Sequence, residues 1–128
     1  METKTSPLKR STTIVIKNNN YDVTYPNTGQ SMDIALLIAK ISDGNYDTLR
    51  FSTSSLLQEQ ADKVDMIAVF NTLIPQLKQD LTVKSLFDLS EEQSDELLVV
   101  YKEQFLTWFS PIKDAIKNPK SQIAKDEK

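Results

Sequence analysis

The first clear rhythm in the chain has a period of two. In Thr12-Thr13-Ile14-Val15-Ile16-Lys17, Ile14 and Ile16 share one face, opposite Thr13 and Val15. Beyond Asn18-Asn19-Asn20, Tyr21, Val23 and Tyr25 alternate with Asp22 and Thr24. Such alternation marks half-buried strands, and asparagine tolerates the left-handed backbone of a tight turn, so the two runs predict a β-hairpin. A lone two-stranded ribbon is marginal in water. Its apolar face must therefore rest on helices or on another chain. Pro26 stops the second strand.

From Ser31 the period lengthens. Ile34, Leu37, Ile38 and Ile41 fall at i, i+3, i+4 and i+7, which predicts a helix over 31–42. Thr28 or Ser31 can cap it, Asp33 suits the positive end of its dipole, and Gly44 ends it in the left-handed conformation. Tyr46, Leu49 and Phe51 read as an anchored connector. Leu57, Ala61, Val64 and Ala68 mark a second helix over 55–74, capped by Ser54 or Ser55 and broken at Pro75, with one further turn in Gln76–Leu81. Thr82-Val83-Lys84 reads as extended and could add a third strand to the hairpin; Ser85–Asp88 reads as a single turn. Ser90 with Gln93 forms a capping box that opens a third helix over 91–109, with Leu97, Tyr101, Phe105 and Trp108 in one stripe. Pro111 should end or bend it, and Ile112 with Ile116 adds another turn or two.

These elements predict an α+β fold, an N-terminal β-hairpin packed on a bundle of about three helices. Its core would hold Ile14, Ile16, Val23, Ile34, Leu37, Ile38, Ile41, Leu57, Val64, Ile67, Phe70, Leu98, Tyr101 and Phe105. Residues 12–117 form the single domain. The polar stretch 1–11 reads as a flexible arm and 118–128 as a disordered tail, since neither carries enough apolar surface to offset its ordering entropy.

Composition narrows the chemistry. Among 128 residues there is no His, no Cys and only two Gly. Disulfides, thiolate or imidazole metal sites and His-based nucleophilic triads are excluded. Carboxylates, Lys, Tyr and hydroxyls remain, and no catalytic, cofactor-binding or metal-ligating residue is assigned: the chain reads as a non-enzyme with no cofactor. Pro26-Asn27-Thr28-Gly29-Gln30-Ser31 lies between strand and helix but lacks the second Gly and the Lys of a phosphate loop. Asp88, Glu91, Glu92, Asp95 and Glu96 form the densest carboxylate cluster, read as a solvated helix start aligned with the dipole. The middle, 51–110, carries ten acidic and four basic residues, while 1–50 has five against six and 111–128 has three against five. An acidic middle argues against a nucleic-acid groove. The longest apolar runs, Ile34–Ala39 and Met66–Phe70, fall far short of the ~20 residues of a membrane span, and Met1–Lys17 has no apolar signal region. No membrane partner is expected.

The aromatic series Tyr101, Phe105, Trp108 and Phe109 is the most informative apolar feature. A packed core helix accounts for it, and Trp108 with Phe109 ahead of Pro111 also suits a partner anchor. The hairpin edge, with Tyr21 and Tyr25, offers a second route to a partner by strand addition. Tyr21, Tyr25, Trp108 and Phe109 are thus the candidate partner-binding residues.

The segments TIVIKNNNYDVTYP, GQSMDIALLIAKISDGNY and FDLSEEQSDELLVVYKEQFLTWF, in that order, resemble the layout of small proteins of tailed-phage structural gene clusters, most of all the tail-assembly-chaperone type. The resemblance covers about residues 12–116. It implies a non-enzymatic protein of virion or host cytoplasm that binds other phage structural proteins, or itself as a homo-oligomer, during assembly or as a minor virion component. The alternative is a small cytosolic regulatory or adaptor protein whose weakly basic arm, residues 1–17, touches nucleic acid.

Overall fold

The computed structural model describes residues 9–117. Residues 1–8 of the predicted arm and the whole predicted tail lie outside this range, while Ser11, placed in the arm, opens the first strand. The architecture is α+β: strands β1 (Ser11–Ile16) and β2 (Asn19–Thr24) form an antiparallel hairpin that rests on helices. Ile14 pairs with Tyr21 and Thr12 with Val23, so Ile14, Ile16, Tyr21 and Val23 line the buried face. The turn is Lys17-Asn18, with φ of 50° and 68°. Both central residues being left-handed is what a two-residue hairpin loop demands. The turn thus sits earlier than the centre of the Asn cluster, and Asn19 and Asn20 belong to β2.

Helix α1 (Thr28–Ile41) starts three residues before the predicted 31. Its cap is Asn27: the Gln30 amide donates to Asn27 Oδ1 at 2.8 Å, and the Asn27 amide to Gln30 Oε1 at 3.0 Å. Asp33 consequently lies in the second turn, away from the positive end it was assigned. Gly44, with φ of 76°, donates to the Ala39 carbonyl at 2.9 Å and closes the helix as predicted. The connector that follows is itself a short helix, α2 (Tyr46–Arg50). Helix α3 (Ser55–Leu73) is capped by Ser54, and after Pro75 comes α4 (Leu77–Asp80). Thr82-Val83-Lys84 adds no strand. Thr82 is left-handed at φ 60°, and the Val83 amide is already taken by the Lys78 carbonyl at 3.0 Å, closing α4.

A 3₁₀ turn (Leu86–Asp88) leads to α5 (Glu91–Val100), whose Ser90–Gln93 capping box forms as predicted. The chain then widens into a π-helical segment (Tyr101–Leu106) and returns to α geometry in α6 (Thr107–Lys117). Pro111 lies inside α6, so the helix runs past the predicted stop. The Thr107 hydroxyl donates to the Glu103 carbonyl at 2.7 Å where the two geometries join.

The core centres on α3, buried almost continuously from Ala61 to Phe70. Phe70 stands edge-on to Tyr101 (5.6 Å between centroids) and Phe105 (6.3 Å). Nine predicted core residues are buried: Ile14, Ile16, Val23, Val64, Ile67, Phe70, Leu98, Tyr101 and Phe105. Ile34, Leu37, Ile38 and Ile41 are only half-buried, because α1 packs chiefly on α3 and its opposite side is bare. Leu57 is exposed, one turn ahead of the buried stretch of α3.

Candidate protein–protein contact surfaces

Three of the four predicted partner-binding residues meet at one junction. Tyr25, just past β2, stacks on Phe109 at 5.1 Å and 16°, and meets Trp108 edge-on at 6.3 Å. Phe109 stacks on Phe105 at 5.0 Å, and Phe105 on Tyr101 at 5.3 Å. The wider π turn holds these rings, four residues apart, in one continuous stack. Trp108 Nε1 donates to the Lys9 carbonyl at 2.9 Å, so the indole also ties the chain ahead of β1 to α6. All three side chains are half-buried, with much of their ring surface turned towards one another. Tyr21 lies elsewhere. It is buried at 9% exposure, and its hydroxyl donates to Asp80 Oδ2 at 2.6 Å, joining the hairpin to α4. Burial, and then the neighbouring Asp80 carboxylate, push the Tyr21 hydroxyl above its ordinary pKa.

The two edges of the hairpin differ. Backbone groups of Val15 point away from β2, and the Gln104 side chain takes both: the Val15 amide donates to Gln104 Oε1 at 2.8 Å, and Gln104 Nε2 donates to the Val15 carbonyl at 3.0 Å. The amide of Gln104 thus occupies the place that a neighbouring strand's peptide group would fill. On β2, the exposed residues Asn20, Asp22 and Thr24 carry the corresponding outward groups. Among the described residues no backbone bond engages them from outside the hairpin. Gln104 was not singled out from sequence. The available signal was a lone amide set between the buried rings of Tyr101 and Phe105.

The carboxylate cluster has a cationic partner. Lys63, 8% exposed, reaches Glu91 at 2.6 Å, Asp95 at 2.9 Å and Glu59 at 3.7 Å. The Glu91 hydrogen bond outweighs burial and, with Asp95, raises the lysine pKa. Part of the predicted solvated helix start therefore pins α5 to α3. A second network ties α2 to α3. Arg50 contacts Asp62 at 2.9 Å and Asp65 at 2.7 Å, and the Tyr46 hydroxyl donates to Asp65 at 3.0 Å. Burial lifts the Asp65 carboxyl above its ordinary pKa despite these partners. Among the described residues, no group of three or more metal-ligating side chains gathers where a metal ion could sit.

Helix α1, with 14 residues, is the longest described element without a buried residue. Leu36 is 64% and Met32 59% exposed, and Asp33, Leu36 and Lys40 border an open depression shared with Asn71 and Thr72 of α3. Beside α1 runs a groove of about 400 Å³, bordered by Ile34, Ile38, Val69, Leu73, Leu106 and Phe109. No helix among the described residues is long and apolar enough to cross a membrane. No protein-family model matches the chain, and no curated protein or solved structure matches it either.

Proposed function

We propose that this protein acts by contact with other proteins and has no catalytic activity, serving in head or tail assembly of a tailed phage or as a minor component of the particle. The observation that carries the contact reading is α1: a well-capped helix whose outward face presents Met32, Ala35, Leu36 and Ala39 to solvent. A contiguous apolar surface of this kind marks a place where another protein binds. Phe109, held in position by Tyr25 and Trp108, borders the groove on the Ile34–Ile38 side of α1, a second candidate contact apart from the outward face. The phage setting rests on the layout resemblance between residues 12 and 116.

Co-expression with the products of neighbouring structural genes tests the reading. One such product should co-elute with the wild-type chain, and Leu36→Glu should abolish that co-elution while leaving the helical circular dichroism signal intact. Co-elution unaffected by Leu36→Glu would remove α1 from the contact. A gene lying apart from any head or tail genes would overturn the phage setting.

A further inference from the structure

We propose that the outer face of α1 docks antiparallel against the same face of a second copy of this chain. This rests on the contact reading above and names the occupant of that surface. Successive residues of an α-helix turn by about 100°, which places Met32, Asp33, Leu36, Ala39 and Lys40 within about 60° of the direction Leu36 points. All five are exposed. Leu36 stands at the centre, Asp33 and Lys40 lie on one flank, and Met32 and Ala39 lie on the other.

A two-fold axis through Leu36, perpendicular to α1 and in the plane of contact, keeps each flank on its own side and reverses the helix direction. Asp33 then faces Lys40 of the second copy, and Lys40 faces its Asp33. On the opposite flank the long Met32 meets the small Ala39 in both directions, and Leu36 meets Leu36. Each residue on the face thus finds a counterpart of opposite charge or complementary size. Within the chain, neither Asp33 nor Lys40 has an ion-pair partner among the described residues. The first turn of α1 carries no acidic residue. The antiparallel arrangement brings Asp43 of the second copy towards that positively polarised end. A parallel arrangement would lose both the charge pairing and the dipole match.

The contact is one helix pair about 21 Å long, smaller than the ~800 Å² per partner of a standard stable interface. Association is therefore weak and depends on concentration. Sedimentation equilibrium of the full chain tests it, with loading from about 10 μM to 1 mM to span the weak-affinity range. Wild type should show a monomer–dimer equilibrium. Asp33→Lys and Lys40→Asp should each weaken dimerisation at least about tenfold, because each turns two symmetry-related attractions into repulsions. The double variant Asp33→Lys/Lys40→Asp restores both pairs in reversed sense and should return to within about threefold of wild type. A wild type that stays monomeric throughout, or a double variant as weak as either single one, overturns the proposal. These outcomes separate it from the contact reading. A monomeric wild type whose co-elution with a neighbouring gene product still requires Leu36 removes the homodimer alone. A charge-swap-dependent dimer with no such co-elution removes the assembly role alone.

Discussion

Replacing Gln104 with Met keeps the length of the side chain and removes its amide. Two hydrogen bonds are lost, at 2.8 and 3.0 Å, both to the outward edge of β1 at Val15. A neutral hydrogen bond contributes about 0.5–1.5 kcal/mol net, and water can reach this half-buried site to replace part of each. The loss should therefore be about 1–2 kcal/mol. With a urea dependence of about 1–3 kcal/mol/M, the unfolding midpoint falls by roughly 0.3–2 M. The single tryptophan, Trp108, reports it directly, because its indole bonds to Lys9 ahead of β1 and senses docking of the hairpin. Gln104→Glu adds a second arm. Its carboxylate can accept from the Val15 amide but repels the Val15 carbonyl, so at pH 7 it should match or exceed the loss in Gln104→Met. Protonation below the ordinary glutamate pKa of about 4.3 supplies a donor again, so its deficit relative to Gln104→Met should shrink on acidification. A Gln104→Met variant within about 0.3 kcal/mol of wild type, well inside the value of one such bond, would refute the clamp. So would a Gln104→Glu variant whose deficit ignores pH.

Three further outcomes follow from the core and the ion pairs. Lys63→Met should change stability by less than about 1 kcal/mol, since Glu91 and Asp95 can return to water, whereas Lys63→Glu crowds carboxylates together and should cost more than about 3 kcal/mol in urea titrations. Phe70→Ala removes a fully buried ring that stands edge-on to the stacked Tyr101 and Phe105 and should cost about 3–5 kcal/mol by thermal or urea unfolding. Asp65 has a folded pKa raised above its unfolded value, so its stabilising contribution is complete below about 3.8 and is lost as pH rises through the folded value. The stability difference between wild type and Asp65→Asn should accordingly shift in favour of wild type between pH 7 and pH 4; the opposite shift would mean that Arg50 outweighs burial at this carboxyl.

Features written in local chemistry were legible along the chain. The hairpin, the Ser54 cap, the Ser90–Gln93 box and the Gly44 terminus each depend on neighbours a few residues away. Features that depend on a distant partner were hidden. Helix α2 spans five residues and is held by Arg50 and Tyr46 on Asp65, a contact with no local signature. The place of Gln104 depends on Val15 of the hairpin, 89 positions away in sequence. The period of α1 put Ile34, Leu37, Ile38 and Ile41 on the covered side, as found; that this side is only half-buried was not legible, because it depends on how closely α3 approaches. Trp108 and Phe109 stood out as anchors in the sequence, which cannot show that the chain's own Tyr25 meets them.

The central claim, that the outer face of α1 pairs with the same face of a second copy, has a built-in reporter. Of the three methionines, Met32 lies on that face, Met66 is fully buried in α3, and Met1 lies outside the described residues. Methyl NMR of methionine-labelled protein over a concentration series reads the surface and the core in one spectrum. The Met32 methyl should shift or broaden as concentration rises while the Met66 methyl stays fixed, and Asp33→Lys should suppress the Met32 change. A Met32 methyl that remains fixed across the whole series would contradict self-association through α1.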